Sequence, residues 1–358
     1  MVRVAIEEAR EQVAHLVGCR AREVVFTSGA TEAVNAAVWG VMARAAPDAA
    51  IALAAVEHSA VRDASSRHPA VPVPVDGYGR LDLAALMTAL GGERRERPVA
   101  LVQCQWGNQE VGTLQPIEDV IAACRDAGTL VHVDAAQAVG HVPVDFAALG
   151  ADLLSLSGHK FGGPLGTGAL IVRRGLRIAP MLVGGDQERA RRAGIENVPA
   201  ICALGAAAAE LSAATPGGGR RLDEERASAI ELTTRLSAAL TAVAGVRVFG
   251  DPRPEGRLPH LVCFGIDGVE AEGVLLGLDQ AGIAAHSGSA CSSEALEPSP
   301  VLEAMGVDAD HSLRLSVGWN TTAADVDATI EAFPRVVAHL RSLADRPAGS
   351  AAAGDGRS

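Results

Sequence analysis

Residues Thr129 to Gly168 read TLVHVDAAQAVGHVPVDFAALGADLLSLSGHKFGGPLGTG. Two short apolar runs lie inside this stretch, and each ends in a charge. Leu130-Val131-His132-Val133 runs into Asp134, and Leu153 to His159 runs into Lys160. Both are too short and too apolar for surface helices, so they read as buried parallel strands. In an open α/β sheet, ligands gather outside the carboxyl ends of the strands. One carboxylate and one amine are therefore expected in the same crevice.

That pair suits one cofactor in particular. Pyridoxal phosphate is held covalently on a lysine, while an acidic residue pairs with its ring nitrogen. The lysine must lose its proton to react, which partial burial favours. Asp134 and Lys160 taken alone fit ordinary strand-end surface residues better; their flanks reverse that judgement. Asp134-Ala135-Ala136-Gln137, Ser157-Gly158-His159-Lys160, Ser28-Gly29-Ala30-Thr31-Glu32 and Ser287-Gly288-Ser289-Ala290-Cys291 occur together. In this combination and spacing the chain resembles the cysteine desulfurases of the class V aminotransferase superfamily, from about Arg3 to about Ala338.

Bulk properties set the frame. The chain has 358 residues, enough for two domains, and is 48% hydrophobic with a mean hydropathy of +0.20. Its net charge of -12 argues against direct nucleic-acid binding, which needs a basic face. No apolar run approaches membrane-spanning length, and the first residues form an amphipathic helix pattern without a signal-peptide core. The expectation is a soluble cytoplasmic protein with no membrane partner. Six cysteines show no CxxC pair and no zinc spacing, so no metal site is expected. Cys124 and Cys263 read as core residues.

The expected architecture is α/β. A large pyridoxal-phosphate transferase domain with a mostly parallel central sheet spans residues 1–214. A smaller α+β domain follows over 220–344, after the breaker Thr215-Pro216-Gly217-Gly218-Gly219, and 345–358 is a low-complexity, disordered tail. Helices are expected over 4–18, 33–46, 82–97, 116–127, 199–213, 221–244, 271–282 and 323–343. The glycine-rich run Phe161 to Gly168 precedes an apolar strand rather than a helix, so it reads as a hairpin-like turn and not a nicotinamide loop. The turn Thr27 to Glu32 opens a helix, which suits either a phosphate or an ordinary Ser/Thr cap.

The resemblance implies roles for individual residues. Ala30, Thr31, Ser157 and His159 would hold the cofactor phosphate. Gln137 would meet its phenolate oxygen, Asp134 its ring nitrogen and Lys160 its reactive carbon. His58 would stack on the ring and move protons, as an imidazole near its own pKa can. Arg314, a lone cation among apolar strand residues, would take the substrate carboxylate in its two-pronged fork. Cys291, in a small polar loop of the longer active-loop subgroup, would be the nucleophile that carries a persulfide away. L-cysteine would be the substrate, L-alanine the product, a homodimer the assembly and a sulfur-acceptor protein the partner. Iron–sulfur assembly, tRNA thiolation and DNA sulfur modification all remain open as destinations.

Three departures stand out. Gln109 replaces a family asparagine, one methylene shorter, that contacts the cofactor. Ile195 occupies the position of a threonine that reaches a neighbour's phosphate across the dimer. A family segment of some forty residues is expected before the first helix, roughly by fold-level analogy, and is not in the sequence. The alternatives are therefore another class V pyridoxal-phosphate enzyme, such as a selenocysteine lyase or an aminotransferase, or a catalytically impaired, partner-binding remnant.

Overall fold

The computed structural model describes residues 2–91, 97–287, 299–309 and 311–344. Cys291, Glu297, Pro298, most of the arginine-rich turn before Pro98 and the tail from 345 lie outside the described residues.

Seven strands build the main sheet: β1 Val24–Thr27, β2 Ala50–Ala54, β3 Ala70–Val73, β4 Val99–Gln105, β5 Leu130–Asp134, β6 Leu153–Ser157 and β7 Gly168–Val172. Their order is β1-β7-β6-β5-β4-β2-β3. From β6 to β3 all neighbours run parallel, and β7 is antiparallel to both β6 and β1. The strands β1, β2, β6 and β7 are buried along their whole length, which explains their near-continuous apolar runs. The turn between β6 and β7 joins antiparallel neighbours, as its glycines suggest.

The helix Val2–Leu16 packs beside the helix Val198–Ser212, so the start of the chain closes over a late element of the same half. Residues on both sides of the sheet form extensive apolar clusters. Cys124 and Cys263 are buried in this core, as expected.

A second sheet follows the turn at Thr215 to Gly219. Strands β8 Val246–Val248, β9 Leu261–Ile266, β10 His286–Ser287 and β11 Ser312–Ser316 lie in the order β10-β11-β9-β8, all antiparallel. The helices Arg221–Thr241, Ala271–Gln280 and Ala323–Ala344 cover one apolar cluster with it. One short element crosses over: Val301 and Leu302, in the helix Pro300–Ala304, join the core of the large sheet.

One boundary differs in a way that matters. The helix expected over 33–46 starts at Ala30 and ends at Met42. Its cap is Gly29, not a serine or threonine, and no side chain caps it. Instead the Glu32 carboxylate accepts the Ser28 N–H at 2.8 Å. Thr31 is thus inside the first turn, and the helix terminus points its N–H groups outward.

Candidate active site

β5 and β6 are paired in register, and both end at one crevice. Asp134 closes β5, and Lys160 ends the short turn Gly158–Lys160 after β6. A cavity of about 380 Å³ opens there, within the ordinary size range of small-ligand sites. Ala30, Thr31, His58, Gln109, Asp134, Gln137, Ser157, His159 and Lys160 all line it. Residues from five separate stretches of chain therefore converge on one place.

Each side chain is held by local structure. Asp134 is buried, and its Oδ1 accepts the Ser155 hydroxyl at 2.9 Å and the Ala136 N–H at 3.1 Å. Ser157 is buried next to the turn and bonds His159 Nδ1 at 3.0 Å. Burial pushes the His159 pKa down, and Lys160 adds to the effect. His58 caps the helix Ser59–Ser65, with Nδ1 accepting the Ala60 N–H at 3.0 Å. That bond assigns the ring proton to Nε2. Burial also lowers the His58 pKa, partly opposed by Asp134 and reinforced by Lys160. The His58 ring is thus shifted toward its neutral form, with its proton on Nε2. Lys160 is exposed at the crevice.

The floor and rim include residues the sequence did not single out. Gln105, at the end of β4, lines the cavity. Its amide donates to the Val56 carbonyl at 2.6 Å and so ties β4 to the end of β2. Glu32 lines it as well and pairs with Arg192 at 2.8 Å. Burial alone would raise the Glu32 pKa, but hydrogen bonds from Arg192 and Ser28 hold it below the usual range. One sequence signal was in plain view: Lys160 is the only lysine among 358 residues.

Arg314 is not on the cavity wall. It is half-buried on β11, and Nη1 donates to the Gln109 carbonyl at 2.7 Å. Its partner is therefore a backbone oxygen, which links the second sheet to the cavity through Gln109. β10 pairs His286 with Arg314 just before the undescribed stretch that holds Cys291. The chain returns at Ser299, whose hydroxyl donates to Glu110 beside Gln109. Both ends of that stretch thus border the Arg314 side of the site. Ile195 is 91% exposed.

The donor set fits pyridoxal phosphate. It offers one amine, one acid, hydroxyls and a helix N-terminus suited to an anion. Close backbone approach completes the cradle: a Cβ on Gly168 would lie 2.7 Å from the Gly29 Cα, so glycine is required there.

The profile of the class-V aminotransferases matches residues 2–329. The chain belongs to the class-V aminotransferase family. Within it, the chain is 42% identical over 350 residues to a cysteine desulfurase of Cereibacter sphaeroides, covering 95% of this chain and 86% of the relative. It is 38% identical over 352 residues to the cysteine desulfurase NifS of Azotobacter vinelandii, covering 96% and 84%. A solved structure of a NifS-like protein superposes with a TM-score of 0.81 at 29% identity, covering 95% of this chain and 89% of that one. No described helix is long and apolar enough to cross a membrane.

Proposed function

We propose that this class-V protein is a cysteine desulfurase, converting L-cysteine to L-alanine and leaving the sulfur as a persulfide on Cys291. The observation that carries the reading is the gathering of Lys160, Asp134, His58 and Gln137 around one cavity with the Ala30 helix terminus. When bound, pyridoxal phosphate supplies an electron sink for the substrate's α-carbon.

The chain's own residues do the rest. Lys160 holds the cofactor and moves a proton at the substrate α-carbon. Asp134, fixed by Ser155 and Ala136, would pair with the ring nitrogen. Ala30, Thr31, Ser157 and His159 hold the phosphate, and Gln137 with Gln109 orient the ring oxygen. His58 donates a proton from Nε2. Arg314, with Nη1 committed to Gln109, keeps its other N–H groups for a carboxylate. The Cys291 thiolate takes the substrate sulfur: the C–S bond breaks, an S–S bond forms, and the β-carbon gains a proton.

A second copy of the chain completes the site. Leu165 on the cavity rim, Val183 and Ile195 are 81%, 77% and 91% exposed, large apolar side chains that a second copy would cover. The persulfide passes to a soluble acceptor protein in the cytoplasm. The large unit is 1–214 and the small one 220–344.

The test is product analysis. Wild-type protein with L-cysteine should release alanine and reducible sulfur in equal amounts. Cys291→Ser should keep the cofactor and lose the persulfide. Transamination without sulfur release would favour an aminotransferase instead.

A further inference from the structure

Glu57 precedes His58 at the end of β2 and is completely buried. Its Oε1 accepts the Gln105 backbone N–H at 2.7 Å. Gln105 in turn sits opposite Asp134 in the β4–β5 register, and both line the cavity. The Gln105 and Asn108 amides converge on the Val56 carbonyl at 2.6 and 3.2 Å. Glu57 is thus the knot that ties the β2 end, which bears His58, to the β4 end beneath the crevice.

The other oxygen of this carboxyl is the unusual part. Glu57 Oε2 is buried and meets no hydrogen-bond partner among the described residues. Arg62, the cation facing it from the next helix, directs Nη1 to the Glu57 backbone oxygen at 3.3 Å rather than to the carboxyl. Asp134 faces it from β5 as a second acid, and the Cys104 thiol faces it from β4. A buried carboxylate with one bare oxygen and no ion pair is costly enough that the group takes up a proton instead.

We propose that Glu57 is a positioning residue held as the neutral acid, so that no second carboxylate charge stands behind Asp134 at the β2–β4 junction. Its charge state is a property of the protein alone; its consequence for the cofactor rests on the function proposed above. Burial pushes the Glu57 pKa up to about 8; the Gln105 N–H opposes this, Asp134 adds to it and Arg62 subtracts from it. Cys104 adds no charge, because burial pushes its thiol well above the ordinary range. A carboxyl raised in the folded state stabilises the fold fully below its unfolded pKa. That contribution is lost as pH rises from the ordinary carboxylate range through about 8.

Infrared difference spectroscopy tests the charge state directly. Wild type minus Glu57→Gln, recorded near pH 6, should show a carboxylic-acid C=O band that shifts in heavy water and fades through about pH 8. Glu57→Gln copies the neutral acid in shape and keeps the acceptor for Gln105. It should therefore leave cofactor absorbance and activity near wild type at neutral pH and remove the alkaline transition. Glu57→Ala should lose cofactor retention through the slackened β2–β4 junction. Absence of the acid band overturns the proposal whether or not any cofactor binds. So does a Glu57→Gln protein that loses cofactor as readily as Glu57→Ala. A protein that shows the band yet binds no pyridoxal phosphate would sink the proposed function and leave the charge state of Glu57 standing.

Discussion

Removing the guanidinium of Arg10 should unfold this protein far more readily than any surface change. Arg10 and Glu188 form a two-pronged pair at 2.6 and 2.7 Å, with side chains 3% and 2% exposed. Arg10 also donates to the Val24 carbonyl at 3.0 Å and lies 4.7 Å over the Phe26 ring. Glu188 accepts the Phe26 N–H at 3.0 Å. Arg10→Ala strands a buried carboxylate, at a cost of about 3–5 kcal/mol. With a urea dependence of roughly 2 kcal/mol per molar, the unfolding midpoint should fall by about 1.5–2.5 M. The effect should reach the site, because Glu188 anchors the segment whose Arg192 grips Glu32 on the cavity wall. Cofactor should therefore be released faster. Arg10→Met with Glu188→Met should recover most of the loss, since an apolar pair replaces a buried ionic one at little cost. A shift of less than about 1 kcal/mol for Arg10→Ala, or a double variant as unstable as the summed singles, would refute the reasoning.

Three further outcomes are expected. Glu188, Arg189 and Ala190 hold φ of 48°, 58° and 60°, a left-handed run of residues with side chains. Ala190→Gly should relieve one of these and raise stability by up to about 1 kcal/mol, read as a higher urea midpoint; a lower midpoint would contradict it. Burial pushes His132 down to about 4, so the unfolded chain takes up this proton first as pH falls. Stability should drop by roughly 3 kcal/mol from this group between its unfolded pKa and about 4, and His132→Gln should flatten that limb; parallel limbs would deny it. If two copies share the site as proposed, Ile195→Thr should slow release of pyridoxal phosphate, measured by dilution, and an unchanged rate would argue that position 195 does not reach a neighbouring site.

The strand ends at Asp134 and Lys160 were legible because burial on both faces of a parallel sheet leaves an unbroken apolar run, and a charge that closes such a run stands where ligands bind. The SGHK and SGATE motifs were legible only through their resemblance to a family, because neither stretch has a periodicity of its own that names a ligand. Glu57 was not: it sits in a run of ordinary residues, and only the meeting of β2 with β4 shows that it is sealed. Arg10 and Glu188 are 178 positions apart, and a buried pair of that separation leaves no periodic trace. The cap at Gly29 is hidden in the sequence because Ser28 and Thr31 are both good caps, whereas the backbone φ of 154° at position 29 selects glycine. Lys160 carried more information than its motif, as the sole lysine of an arginine-rich chain.

That singularity makes the central claim directly measurable. Borohydride reduction of the protein loaded with pyridoxal phosphate welds the cofactor to whichever amine holds it, and Lys160 is the only lysine side chain available. Intact mass followed by peptide mapping should find one pyridoxyl group per chain, on Lys160, and none on Lys160→Arg. An unlabelled wild-type chain, or a label confined to the N-terminal amine, would contradict the account.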